Sequence, residues 1–225
     1  MELFVNLFQR LLPFMSVTII IAFSSMILGL IFGGILAAMK LSHILIVKKA
    51  ANFYTTIIRC TPVIILLFLS YYGLPALIKA ITGIDISSGS RITFAIIALT
   101  LFSSAILSEI LRPAYLAVNK GQFEAAMMVG LSPIQAIRKI IIPQAFYIAL
   151  PNMGNMLLSL IQQSALSFLI GVVDVMGQAK VINSLDYGTH IVMVYATVSF
   201  LYWILSLIVG KGIDGITLHM GKILQ

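Results

Sequence analysis

The run from Leu11 to Met39 contains no charged side chain, and this feature constrains the fold more than any other. A cleavable signal sequence carries a hydrophobic stretch of only about 7–15 residues, with positive charge before it. Here the run is far longer and its basic cluster follows it, so it reads as a retained spanning helix. About 20 predominantly apolar residues suffice to cross the hydrocarbon core. Further runs of about that length lie at Met15–Met39 within the first stretch, then Pro62–Ile81, Thr93–Leu111 and Met193–Val209. Ala145–Val173 also suffices for one crossing, although Pro151, Gly154 and Gly171 interrupt it. The expected fold is all-α: a polytopic membrane helix bundle with about five transmembrane helices.

Composition supports this. Hydrophobic residues make up 60% of the 225 and charged residues 9%, with a mean hydropathy of +1.10. Soluble domains carry about 25% charged residues, and no soluble fold of this length hides so much apolar surface. The net charge of +7 does not point to nucleic acid. The basic residues punctuate apolar runs, as membrane orientation signals do, instead of clustering with aromatics. A lone Cys60 excludes an internal disulfide, and His43, His190 and His219 lie too far apart to suggest a metal site. Without a linker rich in Pro, Gly or Ser, residues 1–225 read as a single domain.

Lys and Arg set the orientation. Ten of them (Lys40, Lys48, Lys49, Arg59, Arg112, Lys120, Arg138, Lys139, Lys211 and Lys222) fall on one side of five spans. Four fall on the other: Arg10, Lys79, Arg91 and Lys180. The expectation is a protein of the plasma or inner membrane with its N-terminus outside and its C-terminus cytoplasmic. Gly83–Ser90 reads as a conventional outer turn. The connection from Arg112 to about Gln144 is long enough to suggest function.

Within that connection, Phe123, Ala126, Met127 and Gly130 fall at i, i+3, i+4 and i+7, the spacing of a short amphipathic helix. Glu124 suits the positive end of its dipole. Gly130 can take the left-handed conformation that stops a helix. Ser132 is placed to cap a second helix, with Pro133 at its first position and Gln135 closing a capping box. Such a pattern fits a cytoplasmic lever or an interfacial helix equally well.

Glu124-Ala125-Ala126, three residues, Gly130, nine residues, then Ile140, Ile142 and Pro143 resembles the EAA motif of binding-protein-dependent ABC importer permeases, with Ile142 in place of a usual Leu. Arg59-Cys60-Thr61-Pro62 followed by Tyr71-Tyr72-Gly73-Leu74-Pro75 is similar to a signature of the polar amino acid branch, as are Lys120-Gly121-Gln122 and Pro143-Gln144-Ala145. The stretch from Phe168 to Ala179 is similar to cystine importer permeases. The resemblance implies a type I transmembrane domain that pairs with a second permease, identical or paralogous, around a central path. It also implies two ABC ATPase subunits, an extracytoplasmic solute-binding protein and an amino-acid substrate. Gly121, Glu124, Ala125, Ala126 and Gly130 of a coupling loop at about 119–144 would meet the ATPase. This chain has no phosphate-binding loop of the G-x-x-x-x-G-K-[S/T] type. ATP and Mg are therefore expected on the partner, with no cofactor and no catalysis in this chain.

Polar groups at membrane depth are the candidate path. Gln162, Gln163, Ser164 and Ser167 form the densest such cluster, and they could hydrogen-bond between helices or face a substrate cavity. Relatives commonly carry K-x-T-S-L here, and this sequence lacks both the Lys and the Thr. Glu109 could pair with Arg112 at i, i+3 or line the path or the dimer interface. Pro62 could kink a segment feeding the second span or start a helix. A passive channel or secondary transporter for a small polar solute is the alternative. It would need a ring of like residues or an inverted repeat, and neither is visible. Nor do paired catalytic groups point to an intramembrane enzyme.

Overall fold

In the computed structural model, residues 1–223 are described, apart from the side chains of Lys222 and Ile223. The C-terminal end assigned to the cytoplasm, and the charge of Lys222, therefore lie outside the described part. Every regular element among the described residues is helical. In chain order they are α1 (Glu2–Leu11), α2 (Met15–Leu41) and α3 (Leu45–Cys60). The second span, α4, is Val63–Thr82, and the third, α5, is Arg91–Ala117. A short helix, α6 (Lys120–Met128), precedes the fourth span, α7, at Pro133–Ile170. Then come α8 (Val175–Leu185) and the long α9 (Ile191–Ile223). Five helices are long and apolar enough to cross a membrane. The chain is a multi-pass membrane helix bundle.

The bundle is organised about α5, more of which is buried than of any other span. Its closest neighbour is α2. Gly29 and Gly33, one turn apart, turn their faces to Ser103, Ser104 and Leu107. A Cβ on Gly29 would collide with Ser103, and one on Gly33 would lie 2.9 Å from Leu107 Cβ and 3.0 Å from the Ser104 carbonyl oxygen. Small residues at this spacing let helix backbones approach closely, which is what packing in lipid rewards. Polar side chains lock the crossing: Ser103 Oγ donates to the Ser25 carbonyl at 3.0 Å, and Ser25 Oγ to the Ile96 carbonyl at 3.4 Å. Ile21, Leu67, Leu99, Leu107 and Leu160 are fully buried around this axis.

Pro62 starts a helix instead of kinking one. Thr61 Oγ1 donates to the Ile57 carbonyl at 2.8 Å, closing α3, and the Pro62 carbonyl accepts the first amides of α4. Three further features depart from the sequence reading. The third span continues straight through Pro113 to Ala117. The fourth span begins at Pro133, so the long connection shrinks to α6 and its two turns. A π-helical turn at Leu69–Gly73 interrupts α4 within the Tyr71–Pro75 motif, with Ser70 Oγ donating to the Phe94 carbonyl at 2.8 Å.

At the opposite end, Asp174 caps α8 by accepting from the Gly177 amide at 2.8 Å. Its other oxygen accepts from Thr18 of α2 at 3.5 Å and Tyr202 of α9 at 3.2 Å. Burial pushes this carboxyl up to about 6. The Phe168–Ala179 stretch thus ties three helices together. In the Gly83–Ser90 turn, Asp85 pairs with Lys79 at 2.9 Å. Hydrogen bonds from Ser87 and Lys79 hold its carboxyl well below the usual range.

The α2–α5 crossing can be tested directly. Gly33→Val should overpack it at a cost of about 1–3 kcal/mol, lowering the melting temperature of the detergent-solubilised protein. Gly34→Val, where nothing lies within 4 Å of the added carbon, should melt close to wild type. Equal melting of the two variants would mean that α2 and α5 do not touch at Gly33.

Candidate functional site

The helix α6 and its turns are built almost entirely by local chemistry. Asn119 caps α6, its side chain accepting from the Gly121 amide at 2.8 Å. In the sequence this cap is an Asn one residue before the helix, a standard start signal. At the other end Gly130 takes φ +86°. The Gly130 amide bonds the Met127 carbonyl at 3.0 Å and the Leu131 amide the Ala126 carbonyl at 3.1 Å. That pair of bonds is the Schellman stop. Two residues later Ser132 forms both bonds of a capping box with Gln135, at 3.4 Å and 2.9 Å. Pro133 then opens α7.

The amphipathic face is narrower than its spacing suggested. Phe123 packs against the small cluster of Val118, Ile141 and Ala145, as do Tyr115 and Ile140, and Ala126 is buried. Met127 and Gly130, on the same spacing, are exposed. Gln144 reaches Gln122 at 3.5 Å and ties the two helices again. The second helix is no separate element either. It is the first turn of α7, joined to the span through a π-helical turn at Ile137–Ile141.

Of the expected ATPase-coupling residues, Gly121, Glu124, Ala125 and Gly130 are exposed and Ala126 faces inward. Beside Glu124 lie Met128 and Val129 at the end of α6 and Ile134 beyond the turn, each more than three-quarters exposed. Glu124, Met128, Val129 and Ile134 thus stand exposed around one turn, with no other part of the described chain covering them.

Ser164 and Ser167 are buried, Ser164 Oγ donating to its own helix at Ile161, while Gln163 is half-buried and Gln162 exposed. Gln162 has companions on its own face that lie outside the sequence cluster. Asn152, Asn155, Ser159 and Gln162 recur at three- and four-residue steps, so they share one face of α7. Asn152, Asn155 and Gln162 are exposed and Ser159 partly so. None of the four hydrogen-bonds to another part of the described chain. At 1.5 Å per residue the stripe runs about 15 Å, half the hydrocarbon thickness. Amides facing lipid would go unsatisfied at a cost of several kcal/mol each, so this face meets water or another protein. Its period was legible, but Pro151 and Gly154 draw attention to breakage, and density along the sequence hides a stripe that density on a face reveals.

Glu109 pairs as expected with Arg112, at 3.8 Å, yet its nearest partner is Lys40 of α2 at 2.7 Å. Lys40 also donates to Ser108 Oγ at 3.1 Å, and its side chain is 1% exposed. Lys40, counted above for orientation, thus also serves as a buried cross-link within the bundle. It lies on the face of α2 that carries Gly29, Gly33 and Ala37, turned inward toward α5. Arg59 of α3 approaches the same carboxylate at 3.7 Å, so it too is more than flank.

A scan against protein families matches residues 29–214 to the binding-protein-dependent transport system inner membrane component. The chain belongs to this family, the permease subunits of binding-protein-dependent ABC importers, and carries its type I transmembrane fold. Among its relatives, the L-cystine transport system permease protein TcyL of Bacillus subtilis (strain 168) is 36% identical over 88% of this chain and 82% of the relative. The octopine transport system permease protein OccQ of Agrobacterium tumefaciens (strain Ach5) is 33% identical over 87% of this chain and 84% of its own. A solved amino acid ABC transporter with histidines superposes with a TM-score of 0.81 and 31% identity, over 96% of both chains.

The pairing of Lys40 has a measurable consequence. Glu109→Gln leaves Lys40 buried without its counter-charge, which costs about 3–5 kcal/mol. Replacing both, as Lys40→Met with Glu109→Leu, should recover most of that stability. Thermal unfolding in detergent compares the two. A double variant no more stable than Glu109→Gln would show that the pair is not what holds α2 to α5 at this end.

Proposed function

We propose that this chain is the membrane-spanning subunit of an importer for polar amino acids, with cystine the favoured substrate. The substrate class is supported by the relatives' likeness, TcyL above all, and by the resemblance at Arg59–Pro75 and Phe168–Ala179. The observation that carries the reading is α6: a helix capped at both ends, fused to the fourth span and presenting Glu124 with an unpartnered apolar corner. That geometry suits a lever pushed by a separate ATPase, which binds ATP and Mg. Energy from hydrolysis would move α6 as a rigid body and tilt α7 with it. A solute-binding protein would deliver the amino acid from the side of Asp85 and Asp186.

The path is proposed along the stripe of Asn152, Asn155, Ser159 and Gln162, with Gln163, Ser164 and Ser167 behind it. Four neutral polar groups can hydrogen-bond an amino acid's ammonium and carboxylate in turn without holding either charge tightly. A second permease, the same chain or a paralogue, would close the other wall. Glu109, occupied by three cations, serves the structure instead of the path.

Reconstitution with the cognate ATPase and binding protein separates the two roles. Gly130→Val forces a β-branched residue to positive φ, which misdirects the corner. It should insert normally but lose binding-protein-stimulated hydrolysis together with uptake. Glu124→Ala, which removes about 0.3–1 kcal/mol of dipole stabilisation and a partner contact, should be milder. Asn155→Leu and Gln162→Leu should keep assembly with the ATPase and lower uptake. Wild-type coupling in Gly130→Val would remove α6 from the mechanism, and normal uptake in both stripe variants would remove the path.

Orientation follows the ten-to-four distribution of Lys and Arg: α6 and α3 face the cytoplasm. In a Cys60→Ser background, single cysteines at positions 85 and 186 should react with an impermeant reagent in intact cells, and those at 48 and 120 should not. The reverse pattern would invert the topology.

A further inference from the structure

One cluster of charge is not absorbed by transport. Where α2, α3 and α5 meet, at the end of the bundle that carries α6, three cations surround one carboxylate. Lys40 takes Glu109 at 2.7 Å and is buried, so it satisfies that charge. Arg59 and Arg112 stand off at 3.7 Å and 3.8 Å, with side chains 54% and 38% exposed. Between Lys40 and Arg59 the chain adds Lys48 and Lys49 and no acidic residue. Two guanidinium groups are thus left with surplus charge and unused donors beside a single, already paired acid. Planar guanidinium groups of this kind suit bidentate recognition of a phosphate or carboxylate.

The same three helices enclose an apolar groove next to this cluster. Its volume is about 500 Å³, and it is lined by Leu28, Phe32 and Ile35 of α2, Tyr54 of α3, and Ile97 and Leu101 of α5. On α5 its lining runs from Ser104 to Ile97, so the groove starts about 7.5 Å from Glu109 and reaches about 18 Å from it toward the bilayer centre. The outer face of α3 adds Ile46, Phe53 and Ile57, all exposed, beside Lys48 and Lys49, as in helices that lie in the membrane interface. Positive charge at the membrane boundary and a hydrocarbon-lined slot leading inward from it match the two ends of one kind of molecule.

We infer that the α2–α3–α5 junction is a binding site for an anionic phospholipid. Arg59 and Arg112 hold the phosphodiester, and an acyl chain lies in the groove along Phe32, Tyr54 and Leu101. Charge complementarity selects this occupant over a neutral lipid, and the groove selects it over a free anion. The site is independent of the transport reading, because none of its residues belongs to α6 or to the stripe on α7.

The test uses the full permease purified with its partner subunits, delipidated in detergent and then titrated with phosphatidylglycerol or phosphatidylcholine, with bound lipid counted by native mass spectrometry. Wild type should retain phosphatidylglycerol preferentially. The Arg59→Gln, Arg112→Gln pair should bind it about ten-fold or more less tightly, since each arginine contributes charge-assisted hydrogen bonds. Arg138→Gln, a basic residue of α7 at the same end, should bind as wild type does. Leu101→Trp, which fills the groove but spares both arginines, should weaken the long-chain lipid and leave a short-chain phosphatidylglycerol unaffected. The melting temperature of each variant without lipid shows whether it has folded, and a variant that has not is replaced by Arg59→Lys with Arg112→Lys, which should show partial binding. Equal retention of the two lipids by wild type would overturn the site. So would unchanged binding in the double variant, or displacement of the lipid by millimolar inorganic phosphate alone. If the double variant instead sheds its ATPase and keeps its lipid, the arginines meet an acidic protein partner and the lipid assignment is wrong.

Discussion

The architecture depends on the approach of α2 to α5. In lipid no hydrophobic force drives helices together, so association must come from close packing and from polar contacts made between them. Gly29 and Gly33 supply the first, by removing the side chains that would hold the backbones apart. Ser25, Ser103 and the Lys40–Glu109 pair supply the second along the same seam. With α5 fixed in the centre, α4 and α7 pack on its remaining faces, and α9 is carried on α7. Loosening this seam would disturb the spans packed on α5 and, through α7, the span packed on it.

Polar groups in the bundle sort by whether a partner exists within the chain. Lys40, Ser70, Ser103, Ser108 and Asp174 are buried and paired, and they bind helices to one another. Asn152, Asn155 and Gln162 are unpaired and exposed on the fourth span. A hydrocarbon solvent penalises the second arrangement severely, so such a face exists only where something polar meets it. Thr100 and Ser167 belong to neither group, being buried without a hydrogen-bond partner among the described residues.

The corner at α6 works on another principle. Its caps satisfy the orphan amides and carbonyls of two short helical ends with nearby side chains, at Asn119, Gly130 and Ser132. It needs little tertiary support, and only Phe123, Ala126 and Gln122 fasten it to α7. Neither the stop nor the cap can yield without breaking its hydrogen bonds, so the corner holds its shape by itself.

Much of this was legible in the chain itself. Apolar run length determines the five spans, because the bilayer leaves only a helix that satisfies its own backbone. Spacing determines the corner, because Gly130, Ser132, Pro133 and Gln135 act on neighbours within four residues. The family motifs lie in these same local segments. Which face a residue occupies was decided only in three dimensions. Lys40 counted only as an orientation signal until α5 brought Glu109 to it, and Glu109 stood open between Arg112, the path and the dimer interface. Gln162 looked like one of a cluster with Ser164 and Ser167 until the packing of α7 turned the serines inward and aligned it with Asn152 and Asn155. Periodicity states which residues share a face. Only the neighbouring helices decide whether that face meets protein, lipid or the transported molecule, and those neighbours lie about 70 residues away in sequence for Lys40 and Glu109.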